Sequence, residues 1–153
     1  MITTCNYGPV ETAQDAYHRM LTDELGPRLR TLGLTGPTQE QSPQYQVPIP
    51  GHFALIGPHQ YWANSAYSFQ FTINVLLVSH TDWQNFRAAA PTDIGPTPHV
   101  NTHYGRGGPW TERLGTLMGS GDKWWYISPR RDTLPIAEEV TFAVAGDMKA
   151  GAL

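Results

Sequence analysis

His99 and His103, in the run HVNTH, stand four residues apart, the spacing at which a helix would turn both imidazoles toward one metal ion. Pro98 comes just before them and Gly105, Gly107 and Gly108 follow, so that helix is not expected; nor does a glutamate occupy the position where a zinc hydrolase of this pattern keeps its base. The pair therefore reads as solvated loop histidines. With Arg106 they would form a hydrolase-type site only if their loop closed over the sheet edge and brought them within hydrogen-bonding reach of an acidic partner. A second constellation is Asp122, Lys123, Trp124 and Trp125, with Arg113 and Trp110 upstream. On a strand, adjacent tryptophans point to opposite faces, so one enters the core and the other is left beside an arginine, the composition of an interface hot spot. The competing reading covers both tryptophans and leaves Asp122 to close a turn. Gln60 and Asn74 read as buried amides tying strands together, with a recognition pair as the other reading.

Other chemistry is thinly represented. Cys5 is the lone cysteine, so it has no partner within the chain for a disulfide, and near the N-terminus it lacks the structured base that a nucleophile needs. The chain shows no nucleophile elbow, phosphate loop, EF-hand loop or CxxC pair. The glycine run at 105–108 leads into Pro109 rather than into the helix start that a phosphate cradle requires. No metal or other cofactor is expected. A net charge of −3 supplies no basic footprint for nucleic acid or an anionic membrane. The first residues lack a signal-peptide pattern and no run approaches a membrane span, so a cytoplasmic protein is expected.

The elements that would position these residues centre on AYSFQFTINVLLVS, Ala66 to Ser79. Tyr67, Phe69, Phe71, Ile73, Val75 and Leu77 alternate onto one face of a strand; the other face is polar until Leu76 and Val78. Such a strand is covered on one side at its start and on both at its end. Before it, Thr12 and Asp15 open an amphipathic helix whose apolar stripe is Ala13, Tyr17, Met20, Leu21, Leu25, Leu29 and Leu32. Gly26-Pro27 should kink this helix, and Gly33 and Gly36 should stop it. Pro43, Pro48 and Pro50 confine a strand around Tyr45 to a sheet edge, and Gly57-Pro58 should interrupt a strand from His52 to Trp62.

After the central strand, Thr81 caps a short helix ended by Pro91. Residues 91–109 then form a long Pro/Gly-rich loop, a length that is either functional or poorly ordered. ERLGTLM (112–118) and KWWYIS (123–128) read as a second hairpin across GSGD. Thr133, Pro135, Glu138 and Glu139 open a closing helix with Ile136, Val140, Ala143, Val144 and Met148 inward. With 153 residues, 40% hydrophobic and 15% charged, the chain suits a flexible N-terminus at 1–11 and one α+β domain at 12–153. Its antiparallel sheet should have about four to five strands, with the kinked N-terminal helix and the C-terminal helix packed on it.

LGL at 32–34, Gln60, FTIN at 71–74, RLG at 113–115 and DKWW at 122–125 occur in the order of a widespread family of small bacterial proteins of unknown function, which the chain resembles over about residues 13–145. It departs from that pattern in the 91–109 loop and in lacking basic residues after LGL. The resemblance implies a compact α+β fold and an accessory or immunity-like setting, and it assigns no catalytic residue. The expected function is a non-catalytic protein-binding domain with a cognate protein partner. The alternatives are the small hydrolase using the 91–109 loop and a small-molecule or peptide binder with an apolar pocket between sheet and helices.

Overall fold

The computed structural model describes residues 10–38, 42–129 and 131–151. The expectations for Cys5 and for most of the N-terminal segment 1–11 fall outside that set. The fold is α+β: one antiparallel sheet carrying helices at both ends of the chain. In chain order the elements are α1 (Ala13–Arg19), a π-helical turn (Met20–Leu25), α2 (Gly26–Thr31), β1 (Thr35–Thr38), β2 (Gln44–Gln46), β3 (His52–Gln60), β4 (Phe69–Ser79), α3 (His80–Ala89), β5 (Trp110–Arg113), α4 (Leu114–Leu117), β6 (Trp125–Ile127) and α5 (Leu134–Lys149). The six strands run in the order β1-β2-β3-β4-β5, and β6 also pairs with β4. Because β3 accompanies β4 from Phe71 to Ser79, the partners of residues 74–77 (β5) and 69–71 (β6) lie end to end along the opposite edge of β4.

The alternation in β4 sets both layers. Phe69, Phe71, Ile73 and Val75 are at most 2% exposed and join Tyr17, Leu25, Leu29, Val140 and Val144 in the main core beneath the helices. Tyr17 stacks on Phe69 at 4.4 Å between ring centroids, and Trp125 stacks on Phe71 at 5.7 Å. The opposite face has a second, smaller core where Leu55 and Leu76 meet Val100 of the long loop, flanked by Phe53, Val78 and Tyr104. In the polar first half of that face Gln70 and Asn74 are half-buried, and Thr72 is buried, donating to Lys123 O at 2.7 Å. Tyr67 lies before the strand and is 83% exposed, so β4 begins two residues later than the alternation suggests.

Thr12 and Asp15 form the expected capping box. The Gly26-Pro27 interruption is absorbed by the π-helical turn: Gly26 donates to Leu21 O, five residues back, so the helix passes the proline that lacks a donor of its own. A methyl on Gly26 would meet Leu21 O at 2.8 Å and the Tyr45 hydroxyl at 2.9 Å, so glycine also lets the helix approach β2 closely. Gly33, at φ +101°, ends the helix while Leu34 donates back to Leu29 O.

Several boundaries differ from expectation for local reasons. β2 lies inside the sheet, because Thr35–Thr38 forms an unforeseen edge strand beside it and the prolines flank the three paired residues. β3 is continuous through Gly57 and Pro58. The Pro58 carbonyl accepts from Asn101 and so points away from β4, which directs the missing N–H to the side where β2 has already ended. Ser79, not Thr81, caps α3. Residues 114–117 are a helical turn, so 112–118 and 123–128 do not pair as a hairpin. Gly115 permits this helical turn: a Cβ there would sit 2.5 Å from Gly121 O and 2.6 Å from the Lys123 side chain, so the 118–123 turn packs closely on α4. Thr133 precedes α5, but its hydroxyl donates to Glu24, and Asp132 receives the Leu134 N–H instead.

Candidate functional site

The 91–109 segment is held to the sheet by a continuous set of hydrogen bonds. Gln44, 4% exposed, donates to Pro98 O at 3.3 Å and accepts from Val100 N at 2.9 Å. The buried Trp83 indole donates to Pro96 O at 3.1 Å. Asn101 is the hub: Nδ2 donates to Pro58 O (2.9 Å) and to the Ser42 hydroxyl (3.3 Å), while Oδ1 accepts from Asn74 Nδ2 at 2.8 Å. Gly57 makes this closure possible, since a Cβ there would lie 2.7 Å from Val100 Cγ1.

Asn74 carries the network across the sheet. Its Oδ1 accepts from Arg113 Nη1 at 3.0 Å, on the β5 residue registered opposite it. The Arg113 guanidinium lies 5.2 Å from the Trp124 ring centroid and its Nε is 3.4 Å from Asp122 Oδ1. Asp122 Oδ2 accepts weakly from the Trp124 indole at 3.4 Å. The Trp124 ring in turn meets Tyr61 edge-on at 5.7 Å and His59 at 6.2 Å. Tyr61 donates its backbone N–H to Gln70 O, and Gln70 is registered with Tyr126 of β6, so the tyrosines flank one row of the open face. Tyr126 is 65% exposed and Trp62, beside Tyr61, is 88% exposed.

A cleft of ≈ 310 Å³ adjoins this aromatic patch under the loop, lined by His59, Asn74, Asn101, His103 and Arg113 among others. Burial, and then the Arg113 charge beside it, hold the His59 imidazole below its ordinary range, so it is neutral at pH 7. The amides of Asn74 and Asn101 already satisfy each other and Arg113. The cleft therefore offers a hydrogen-bonding wall with one cation, Arg113, whose charge is shared with Asp122, and one carboxylate, Glu112, on the neighbouring β5 residue.

The structure brings Asn74, Arg113, Asp122 and Trp124 together and places the other candidates elsewhere. Trp125 points into the main core at 4% exposure, with Lys123 Nζ 5.4 Å from its ring centroid and bonded to Glu139. Trp110 is partly exposed at the far end of β5, opposite Leu77, three positions from Arg113. Gln60 is exposed at the end of β3 and so is not a buried tie between strands. His99 has both ring nitrogens engaged: Nδ1 accepts from Asn101 N at 3.0 Å, which leaves Nε2 to donate to Ser42 O at 3.1 Å. His103 lines the cleft, whereas Arg106 is exposed and outside the lining, so the three residues of the hydrolase reading do not converge.

Sequence reasoning missed His59, Tyr61, Trp62, Asn101 and Tyr126. The signal for Tyr126 was present, since a residue two places from Trp124 shares its face on a strand. Asn101 carried none, because its partners come from three separate segments. Among the described residues no group of three or more histidine, cysteine or acidic side chains could hold a metal ion, and no helix is long and apolar enough to cross a membrane. No family model matches the chain, and no characterised protein or solved structure is significantly similar to it.

Proposed function

We propose that the protein acts by binding a protein partner through the open half of its sheet, without catalysing a reaction. The observation that carries this reading is the run of ring contacts from the exposed Trp62 through Tyr61 to the half-buried Trp124, which lies against Arg113, with the exposed Tyr126 two residues beyond Trp124. Exposed tryptophan and tyrosine beside arginine have the composition of interface hot spots, and the polar cleft alongside suits one hydrogen-bonding side chain of the partner. The resemblance in motif order supports an accessory or immunity-like role in a bacterial cytoplasm, with the DKWW run supplying Asp122 and Trp124 to the patch.

Affinity capture from a lysate of the native host tests it. The wild-type chain and the Trp124→Ala/Tyr126→Ala variant are used as parallel baits, with far-UV spectra confirming that both are folded. A defined protein retained by the wild type should bind the variant more weakly by at least about 2 kcal/mol, the scale of a hot-spot loss. Equal retention by the two baits, or no retained protein, overturns the proposal.

A further inference from the structure

The helical side of the molecule, opposite the open sheet face, carries an apolar groove between α2 and α5. Its volume is ≈ 490 Å³, and its lining includes Pro27, Thr31 and Leu32 from the α2 side and Thr141, Phe142 and Ala145 from α5. Phe142 is 82% exposed. The inward stripe of α5 is made by Ala137, Val140, Ala143 and Val144, so Phe142 is an additional apolar residue on the outer face and takes no part in the core. Arg28 and Glu138 also line the groove, one from each helix. Among the described residues neither forms an ion pair; the Arg28 guanidinium donates only to the Glu24 carbonyl, at 2.9 Å.

We propose that this groove is the contact between two copies of the chain, related by a two-fold axis, in which each Phe142 enters the other copy's groove and each Arg28 meets the other copy's Glu138. The charge arrangement favours this occupant. One cation on α2 and one anion on α5 are unmatched among the described residues, and a two-fold operation sets each against its complement while pairing the apolar lining with itself. A partner of uniform charge would satisfy one of the two and repel the other. Two phenylalanines bury about 150–250 Å² each, well short of the roughly 1,200 Å² of a standard interface, so the dimer is weak and forms reversibly. The open sheet face remains free in it.

Sedimentation velocity of the full chain over two decades of concentration reads this directly. The wild type should shift from monomer toward dimer as concentration rises, and Phe142→Glu should remain monomeric. That side chain is exposed in the monomer, so the variant retains the parent's melting temperature. Arg28→Glu and Glu138→Arg should each weaken association about 25-fold, because each breaks both symmetry-related pairs and one exposed ion pair is worth up to about fivefold. An equimolar mixture of these two variants should regain it, because every cross-copy contact is then again between opposite charges. A wild type that is monomeric throughout overturns the proposal. So does association that Phe142→Glu leaves intact, a mixture no stronger than its components, or a monomer whose groove takes up an amphipathic helical peptide in place of a second copy.

Discussion

Asp147 shows how one buried residue adds a pH dependence to the stability of the fold. It lies on the inner side of α5 at 8% exposure, and its Oδ2 has no hydrogen-bond partner among the described residues. Burial raises its pKa above the ordinary value of 3.8. The folded chain therefore holds this proton to a higher pH than the unfolded chain does, and the group's contribution to stability is complete below 3.8 and lost as pH rises through the raised native pKa. Above that range the buried carboxylate is charged, and one of its oxygens has no bonded partner among the described residues. Asp147→Asn is thus expected to melt above the wild type at neutral pH, with the gap closing as the pH is brought down toward 3.8. Melting curves at several pH values check this, and a gap that widens in acid would exclude it. A single aspartate on an otherwise apolar helical stripe is visible in the sequence, but its desolvation is not, since that depends on what packs over it.

At the scale of elements, the long 91–109 segment illustrates where sequence reading stops. Its prolines and glycines announce a loop, and nothing in the period announces that Val100 will fill a second core while Asn101 bonds β3 and the β4 side chain of Asn74. Hydrogen bonds across 27 and 43 residues of sequence have no local signature. Strand β4, by contrast, was legible because alternation is a local property, as was the capping box of α1. The hairpin expected across GSGD failed for a tertiary reason: β4 offers a free edge to each segment separately, and pairing there outweighs a local turn. Asn101→Ala removes the hub and leaves the Pro58 carbonyl and the Asn74 amide each short of a partner. The expected cost is about 1–3 kcal/mol, with faster proteolysis confined to the loop. Denaturant titration and limited digestion measure both, and a loop that resists digestion as in the wild type would show that Gln44, Trp83 and His99 hold it without Asn101.

The molecule as a whole separates stability from recognition across the thickness of its sheet. The helix-covered face holds the aromatics of the main core, with Phe71 between Tyr17 at 5.2 Å and Trp125 at 5.7 Å, while the other face holds Trp124 and Tyr126, the neighbours of Trp125 in sequence, beside the smaller core that the loop covers. The DKWW run thus sends one tryptophan to each role, an assignment that residue types alone leave open and that the register of β6 on β4 fixes. Substitutions on the two faces should accordingly have opposite signatures. Phe71→Ala empties a core position and should cost about 3–5 kcal/mol, enough to threaten folding in a domain of this size. Tyr126→Ala, registered only one residue away across the strands and 65% exposed, should change stability by no more than about 0.5 kcal/mol while weakening partner capture. His103→Ala, in an exposed part of the loop, should likewise leave stability nearly unchanged. Parallel denaturation and capture measurements on the three variants decide the matter: if Tyr126→Ala destabilises the fold as Phe71→Ala does, the open face is part of the core, and the division of labour between the two faces of the sheet does not hold.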